Sequence, residues 1–555
     1  MRFLPVSVLW LIPSILLAQA TSLTPQQRAR IDSVFAQWDR TNSPGCALGI
    51  SRGGEMLYER GYGMANLETG LAISPTSIFH VASISKQFTA AAVALLASRG
   101  KLSLDDDIRK HVPEIPDYGT RITIRHLMHH TSGLRDQWVL LRLAGWRQED
   151  LITEADVLWV ASRQKALNFP PGSEYLYSNT GYTLLGTIVR RVSGVSLRQF
   201  AEQEFFRPLG MTDTHFHDDH AMVVPGRTSA YVPAAGGWRV SIPDFDTYGA
   251  TSLFTTVRDL LKWQHNFSTG QVLGKELLEE MQRPIRLSGG TESTYGFGIV
   301  TGRHRGLRTS GHSGADHGYR ADVVRFVDHN LSIAALCNAS NAGPSALTRR
   351  VGDILLAEQL AAESAPASDS SSVRLERKQL EQWTGTYVDR KNAMVLRFEI
   401  RGDSLALVTG PTLRPLAADR FAPPQGQPEA TFSVREGKTF VRLSGPGMDN
   451  VLERQPPISL NARALQAYAG SYYSEELDTR WNIELRDSVL MLKRPKFPEA
   501  RLVPVSPDGF SLGGEGGNLL LSFSRGAGNR VTGFEVGTSR LRGLRFETMK
   551  STRGN

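Results

Sequence analysis

Apolar residues fall at helical spacing early in the chain. Ile31, Val34, Phe35 and Trp38 follow Thr24-Pro25, a pair suited to a helix N-cap and first helical position. Ser43-Pro44-Gly45 breaks that rhythm. Cys46–Ser51 and Met56–Glu59 then read as a β-hairpin turning at Gly53-Gly54. From Ser83 to about Glu280 the pattern is mostly helical. Strand signals return at Gly318–Phe326 and Leu331–Cys337, and Pro344–Leu360 is helical again, with proline at the first position. Strands from the two ends must meet in one sheet, with the helical block inserted between them. This predicts an α/β domain over residues 21–362.

Glu363–Ser372 is small and polar, a linker by composition. Beyond it come short alternating runs separated by Gly, Pro and Asp, and these repeat. Leu380-x-x-Trp383-x-Gly385-x-Tyr387 matches Leu465-x-x-Tyr468-x-Gly470-x-Tyr472 at an offset of 85 residues. Ile400-Arg401 and Leu405-x-Leu407 match Leu485-Arg486 and Leu490-x-Leu492 at the same offset. Two diverged all-β units follow, residues 373–458 and 459–555, of the size that closes as barrels or sandwiches. They are too polar to hold chemistry, so they should bind, gate or stabilise, leaving an α/β domain that keeps its fold without them.

The first twenty residues are set apart. Arg2, an apolar run from Leu4 to Leu17 and Ala18-Gln19-Ala20 make a secretory signal, which predicts a periplasmic or secreted protein. No later run is long and apolar enough to span a membrane. Of 555 residues, 41% are hydrophobic and 21% charged, which is globular composition. The formal charge is +8, and residues 373–555 hold 27 Lys and Arg against 20 Asp and Glu, so the excess is C-terminal. No Lys/Arg run supports nucleic-acid binding. The basic third could draw the chain weakly to an anionic envelope, although solubility is the simpler reading. Oligomeric state is not legible.

Three groups of residues could do chemistry. Ser83-Ile84-Ser85-Lys86 opens an apolar helix and puts a lysine one turn from a serine, where it could take the hydroxyl proton. A helix N-terminus disfavours a second positive charge and so favours neutral lysine. Taken alone, this is also an ordinary exposed helix start. Its company changes that. Tyr177-Ser178-Asn179 sits in a Pro/Gly-shaped loop before a helix, and Gly311-His312-Ser313-Gly314 precedes the returning strand at a sheet edge.

Together these motifs, with Leu127–Leu134, resemble the serine β-lactamase and penicillin-binding-protein superfamily. The branch is the class C-like one of esterases, D-stereospecific peptidases and β-lactamases. The motifs occur in the family's order, 94 and 135 residues apart from Ser83 through Tyr177 to His312. The resemblance implies an antiparallel sheet flanked by helices, with a mostly helical insertion. It implies Ser83 as the acylated nucleophile, with Lys86 and Tyr177 sharing acid and base duty. Asn179, His312, Ser313, Gly314 and Ala315 would bind substrate, the backbone N–H groups of Ser83 and Ala315 holding the oxyanion. No cofactor is called for.

His312 stands where β-lactamases usually have lysine. A mostly neutral imidazole shifts the expectation toward a small molecule or short peptide without a carboxylate near the scissile bond. Two β units after such a domain resemble the D-aminopeptidases. The expected activity is amide or ester hydrolysis of small D-amino-acid-containing compounds. The alternatives are a carboxylesterase, a weak β-lactamase or D,D-peptidase, and a non-catalytic envelope-binding protein. The resemblance also makes the strands of Cys46 and Cys337 antiparallel neighbours. The two cysteines then either pair or pack as buried thiols.

Two histidine groups compete as metal sites. His215-Phe216-His217-Asp218-Asp219-His220 fits a zinc signature literally, but follows a turn typical of the serine family, so a solvated loop is expected. His126-x-x-His129-His130 has helical spacing without accompanying acids, which suits a helix end beside the active site.

Overall fold

The computed structural model describes residues 22–361, 373–424, 428–445, 448–512 and 519–549; the expected signal segment and linker lie outside them. The predicted first helix is present as α1 (Pro25–Phe35), with Thr24 and Gln27 forming a reciprocal cap. The predicted hairpin forms strands β1 (Cys46–Arg52) and β2 (Glu55–Tyr62), with Gly53 and Gly54 at positive φ in the turn. Four later strands complete an antiparallel sheet: β3 (Val300–His304), β4 (Leu307–Asp316), β5 (Tyr319–Phe326) and β6 (Leu331–Cys337). The spatial order is β3-β4-β5-β6-β1-β2, so the two ends of the domain meet at β6 and β1.

That pairing places Cys46 directly opposite Cys337. They are disulfide-bonded, with Cα atoms 4.0 Å apart. The third motif lies inside β4 rather than ahead of a strand. β3 pairs with β4 only as far as Gly311, so residues 312–316 have a partner strand on one side only. The edge expected from the sequence is therefore real, but local.

Five further helices matter for the site: α2 (Ser85–Ser98), α3 (Gln137–Ala144), α4 (Glu154–Ser162), α5 (Asn179–Ser193) and α6 (Val257–Thr269). Helix α7 (Pro344–Leu355) packs with α1 on one face of the sheet, over a core of Phe35, Tyr62, Val324, Ile333 and Val351. On the other face α2 is buried nearly all round, as its continuous apolar sequence requires. No helix among the described residues is long and apolar enough to cross a membrane.

The tail forms two β units. Residues 470–548 make a closed eight-stranded barrel, and residues 385–455 an eight-stranded sheet whose ends meet only through the bridge Ala406–Thr412. The sequence repeat has a structural meaning. In each unit a short helix carrying Leu380 or Leu465 precedes the first strand, and that strand's tyrosine hydroxyl donates back to a main-chain carbonyl. Tyr387 reaches Trp383 O at 3.1 Å, and Tyr472 reaches Tyr468 O at 2.7 Å.

The second barrel is not a separable module. Leu140, Leu141, Leu143, Val157 and Val160 of α3 and α4 share one hydrophobic core with Trp481, Leu492 and Phe546 of the barrel. The hydrolase domain and the tail are therefore joined by a shared apolar contact. Removal of the tail would bare that apolar face to water.

Candidate active site

Ser83 sits in the short turn Ala82–Ile84, which runs directly into α2. Ala82 takes φ +47°, a left-handed conformation costly for a residue with a Cβ. Ser85 ties the turn down: its hydroxyl donates to Ala82 O at 2.5 Å and accepts from Leu253 N–H at 3.0 Å. Gly314 explains the close approach of β4, because a Cβ there would lie 2.2 Å from Val81 O. Gly314 thus packs closely behind the nucleophile, between Ser313 and Ala315, which line the cavity.

Lys86 lies wholly buried one turn on. Its Nζ is 3.1 Å from Ser83 Oγ, 2.9 Å from Asn179 Oδ1 and 2.6 Å from Ala250 O. Asn179 Nδ2 donates to Asp136 Oδ2 at 2.8 Å, which fixes the amide so that its oxygen faces the lysine. Two of the three Lys86 partners can only accept. A neutral amine must donate to those two, which leaves its lone pair facing the one partner that can give a proton, the Ser83 hydroxyl. Burial pushes the lysine well below its ordinary pKa, and Arg540 pushes the same way, against Asp136 and Asp316.

Tyr177 closes the site from above. Its loop is laced to the preceding motif by Gly172 N–H to Thr131 O (2.8 Å) and Leu176 N–H to His130 O (3.0 Å). The His130 ring lies 4.1 Å from the Tyr177 ring, and Lys86 Nζ lies 4.9 Å over it. Burial raises the phenol pKa, partly offset by the Ser83 hydroxyl and Arg540.

His312 is a different residue from the one expected. Its Nδ1 donates to Ser313 O at 2.5 Å, and its Nε2 accepts from the Tyr295 hydroxyl at 2.9 Å. Both ring nitrogens are thus engaged within the protein, so it is no free donor for substrate. Burial, then Lys86, lowers its pKa to about 4, and burial also holds His129 at about 4. The folded state therefore refuses protons that the unfolded chain takes below about pH 6.5. Stability from these two residues is complete above pH 6.5 and is lost as pH falls toward 4. Denaturation midpoints between pH 4 and 7 should show this slope. His312→Gln should lessen it without removing it, because burial holds His80, His130, His215 and His217 low as well.

The competing histidines do not gather. His126 Nδ1 caps its own helix at Thr123 N–H, His129 Nδ1 donates to Tyr295 O, and His130 Nδ1 accepts from Ser178 N–H. They brace the cleft, as a helix end beside the site would. His215 and His217 pack on Phe254, while His220 turns away to Asp246, so the zinc signature is split.

Ser83, Tyr177, Asn179, His312, Ser313 and Ala315 line one cavity of about 300 Å³. Five further residues of that cavity went unread in the sequence: Trp138, Ala250, Thr251, Asp316 and Arg540. Asp136, behind Asn179, lies two residues past the Leu127–Leu134 stretch and was within reach of that signal. Arg540 was not. It comes from the turn between the last two strands of the second barrel.

The arrangement can activate a hydroxyl nucleophile. The beta-lactamase family profile matches residues 31–358. A D-aminopeptidase of Cereibacter sphaeroides is 27% identical over 484 residues, covering 84% of this chain and 87% of its own. Penicillin-binding protein 4* of Bacillus subtilis is 29% identical over 307 residues, 52% of this chain and 66% of its own. In fold, the octameric penicillin-binding protein homologue from Pyrococcus abyssi aligns with TM-score 0.54 at 22% identity, over 85% of this chain and 99% of that one. D-amino acid amidase from Ochrobactrum anthropi SV3 aligns with TM-score 0.51 at 22% identity, over 60% of this chain and 99% of its own. A profile match over more than half the chain, around a buried lysine set against a serine, places this protein in the beta-lactamase family of serine hydrolases.

Proposed function

We propose that this is an exported hydrolase that cleaves small D-amino-acid amides or peptides through an acyl-enzyme on Ser83. The observation that carries the reading is the buried Lys86 Nζ, 3.1 Å from Ser83 Oγ, whose two other partners can only accept. Ser83 Oγ attacks the carbonyl carbon while Lys86 takes its proton. The oxyanion is held by the main-chain N–H groups of Ser83 and Ala315. The proton then passes through Tyr177 to the leaving nitrogen, and the C–N bond breaks. Water, deprotonated by the same pair, attacks the ester and regenerates Ser83. Asn179 keeps one N–H of its amide for the substrate after serving Asp136.

The D-configuration rests on the D-aminopeptidase relatives, which align over most of both chains, tail included. The Cys46–Cys337 bond favours an oxidising compartment, periplasmic or extracellular. A panel of D- and L-aminoacyl p-nitroanilides, simple esters and nitrocefin tests the reading. Turnover should be greatest with the D-aminoacyl amides. A preference for L-aminoacyl amides or for nitrocefin would overturn it. Tyr177→Phe should lower kcat by ~100-fold or more, the usual scale of general acid–base help.

A further inference from the structure

The catalytic cleft carries two opposite charges that tune Lys86 but touch none of the reacting atoms in the hydrolytic steps. Arg540 is the first. The second barrel's last turn is clamped to the hydrolase domain by Asn168, whose Nδ2 donates to Arg540 O (3.2 Å) and whose Oδ1 accepts from Arg542 N–H (2.8 Å). The guanidinium lies 4.9 Å over the Tyr177 ring. Its nearest acid is Asp136 Oδ2 at 3.9 Å, and that oxygen already accepts two hydrogen bonds from Asn179, each 2.8 Å. Among the described residues no acceptor lies within hydrogen-bond distance of the guanidinium. Its planar fork of donors is open to the cleft.

Asp316 is the second. It ends β4, directly after Ala315, and accepts one hydrogen bond, from Thr251 Oγ1 at 2.9 Å. Lys86, His317 and Arg320 bear on it from a distance, but among the described residues no cation lies within ion-pair distance. Burial raises its pKa, the state of a carboxylate that gains from a close ammonium. Asp316 also lines a second cavity of about 610 Å³, which shares Trp138, Ala315 and Asp316 with the first. It is walled by Trp146, Phe245 and Phe497 together with Arg142, Arg147, Arg320 and Lys496.

The two charges sit on different sides of the reaction. Tyr177 hands its proton to the leaving nitrogen, so the guanidinium stacked on Tyr177 faces the leaving group. Asp316, beside the oxyanion donor Ala315 and the aromatic cavity, faces the acyl group. We infer that the cleft reads both ends of a short zwitterionic peptide. Asp316 takes the free ammonium of the acyl residue, Arg540 takes the free carboxylate of the leaving residue, and the aromatic cavity takes a bulky acyl side chain. The reaction is peptide plus water giving two free amino acids. This deepens the hydrolase reading and rests on it. It also reverses the expectation drawn from His312. The cationic charge that a lysine would bring to the third motif is supplied instead by the tail.

The test uses the full chain and four forms of one D-Phe–D-Ala dipeptide: both ends free, C-terminal amide, N-acetyl, and doubly blocked. In the wild type each blocked end should cost about tenfold or more in kcat/KM, the scale of a charge-assisted hydrogen bond. Arg540→Ala should bring the acid-to-amide ratio to near one while keeping the preference for a free amine. Arg540→Lys should restore part of that ratio. Asp316→Asn should erase only the amine preference. Thermal melts that match the wild type show the variants are folded, and Arg540→Gln replaces any that is not. An unchanged acid-to-amide ratio in Arg540→Ala or Arg540→Gln would overturn the proposal. A p-nitrophenyl D-aminoacyl ester separates the two readings. If it is hydrolysed through Ser83 while the four dipeptides react alike, end recognition fails and the hydrolase reading stands. If Ser83→Ala hydrolyses it as well as the wild type does, the hydrolase reading itself fails.

Discussion

Lys86→Ala should lower kcat by about 10⁴-fold or more, with little change in fold, and Ser83→Ala should do the same. The lysine is the one base within reach of Ser83 Oγ whose other hydrogen-bonding positions are already committed, to Asn179 Oδ1 and Ala250 O. Without it the serine proton has no acceptor at 3.1 Å, and the hydroxyl reverts to a poor nucleophile. Because serine and lysine act as one unit, the double variant should be no slower than either single one. Single-turnover and steady-state rates on a p-nitrophenyl ester check this. Losses that multiply would mean the two residues act independently.

Glu476→Ala should destabilise the protein by about 3–5 kcal/mol, the range for removing one partner of a buried ion pair. Arg135 is 1% exposed and Glu476 6% exposed at the side chain, with 2.6 Å between them. Glu476 also accepts from the Lys165 N–H at 2.8 Å. Loss of the carboxylate leaves a buried guanidinium held only by Gln164 Oε1 and the carbonyls of Arg542 and Gly543. Those carbonyls belong to the strand that directly follows the Arg540 turn, so activity should fall along with stability. Denaturation midpoints measure the effect. Glu475→Ala, at an exposed pair with Lys165, is the control and should change little.

These two predictions mark what a sequence can carry. Ser83, Lys86, Tyr177 and Asn179 were legible because each role depends on a side-chain type at a short local spacing, on a helix start or in a loop shaped by Pro and Gly. The hairpin over Cys46–Glu59 and the repeat around Trp383 and Tyr468 were legible for the same reason. The family resemblance placed Cys46 and Cys337 on neighbouring strands but could not decide between a bond and two thiols. Register settles that, and register is a property of the assembled sheet.

His312 was read by its chemistry alone, and its meaning changed once Tyr295 and Ser313 were seen to occupy both ring nitrogens. Arg540 could not be read at all. It lies in an ordinary barrel turn, and the Arg135–Glu476 and Arg542–Glu174 pairs, the Asn168 clamp and the shared core around Trp481 bring that turn to Ser83. Those contacts are long-range and leave no periodic trace. Polarity and repetition made the tail look separable, because apolar faces committed to one barrel and to a neighbouring domain have the same alternation.

The central claim is that chemistry passes through a covalent bond to Ser83. Mass spectrometry of the intact protein and its peptides, after reaction with a fluorophosphonate, tests it most directly. The account predicts one adduct, on the peptide containing Ser83, and none on Ser83→Ala. An adduct on any other residue, or one that persists in Ser83→Ala, would contradict it.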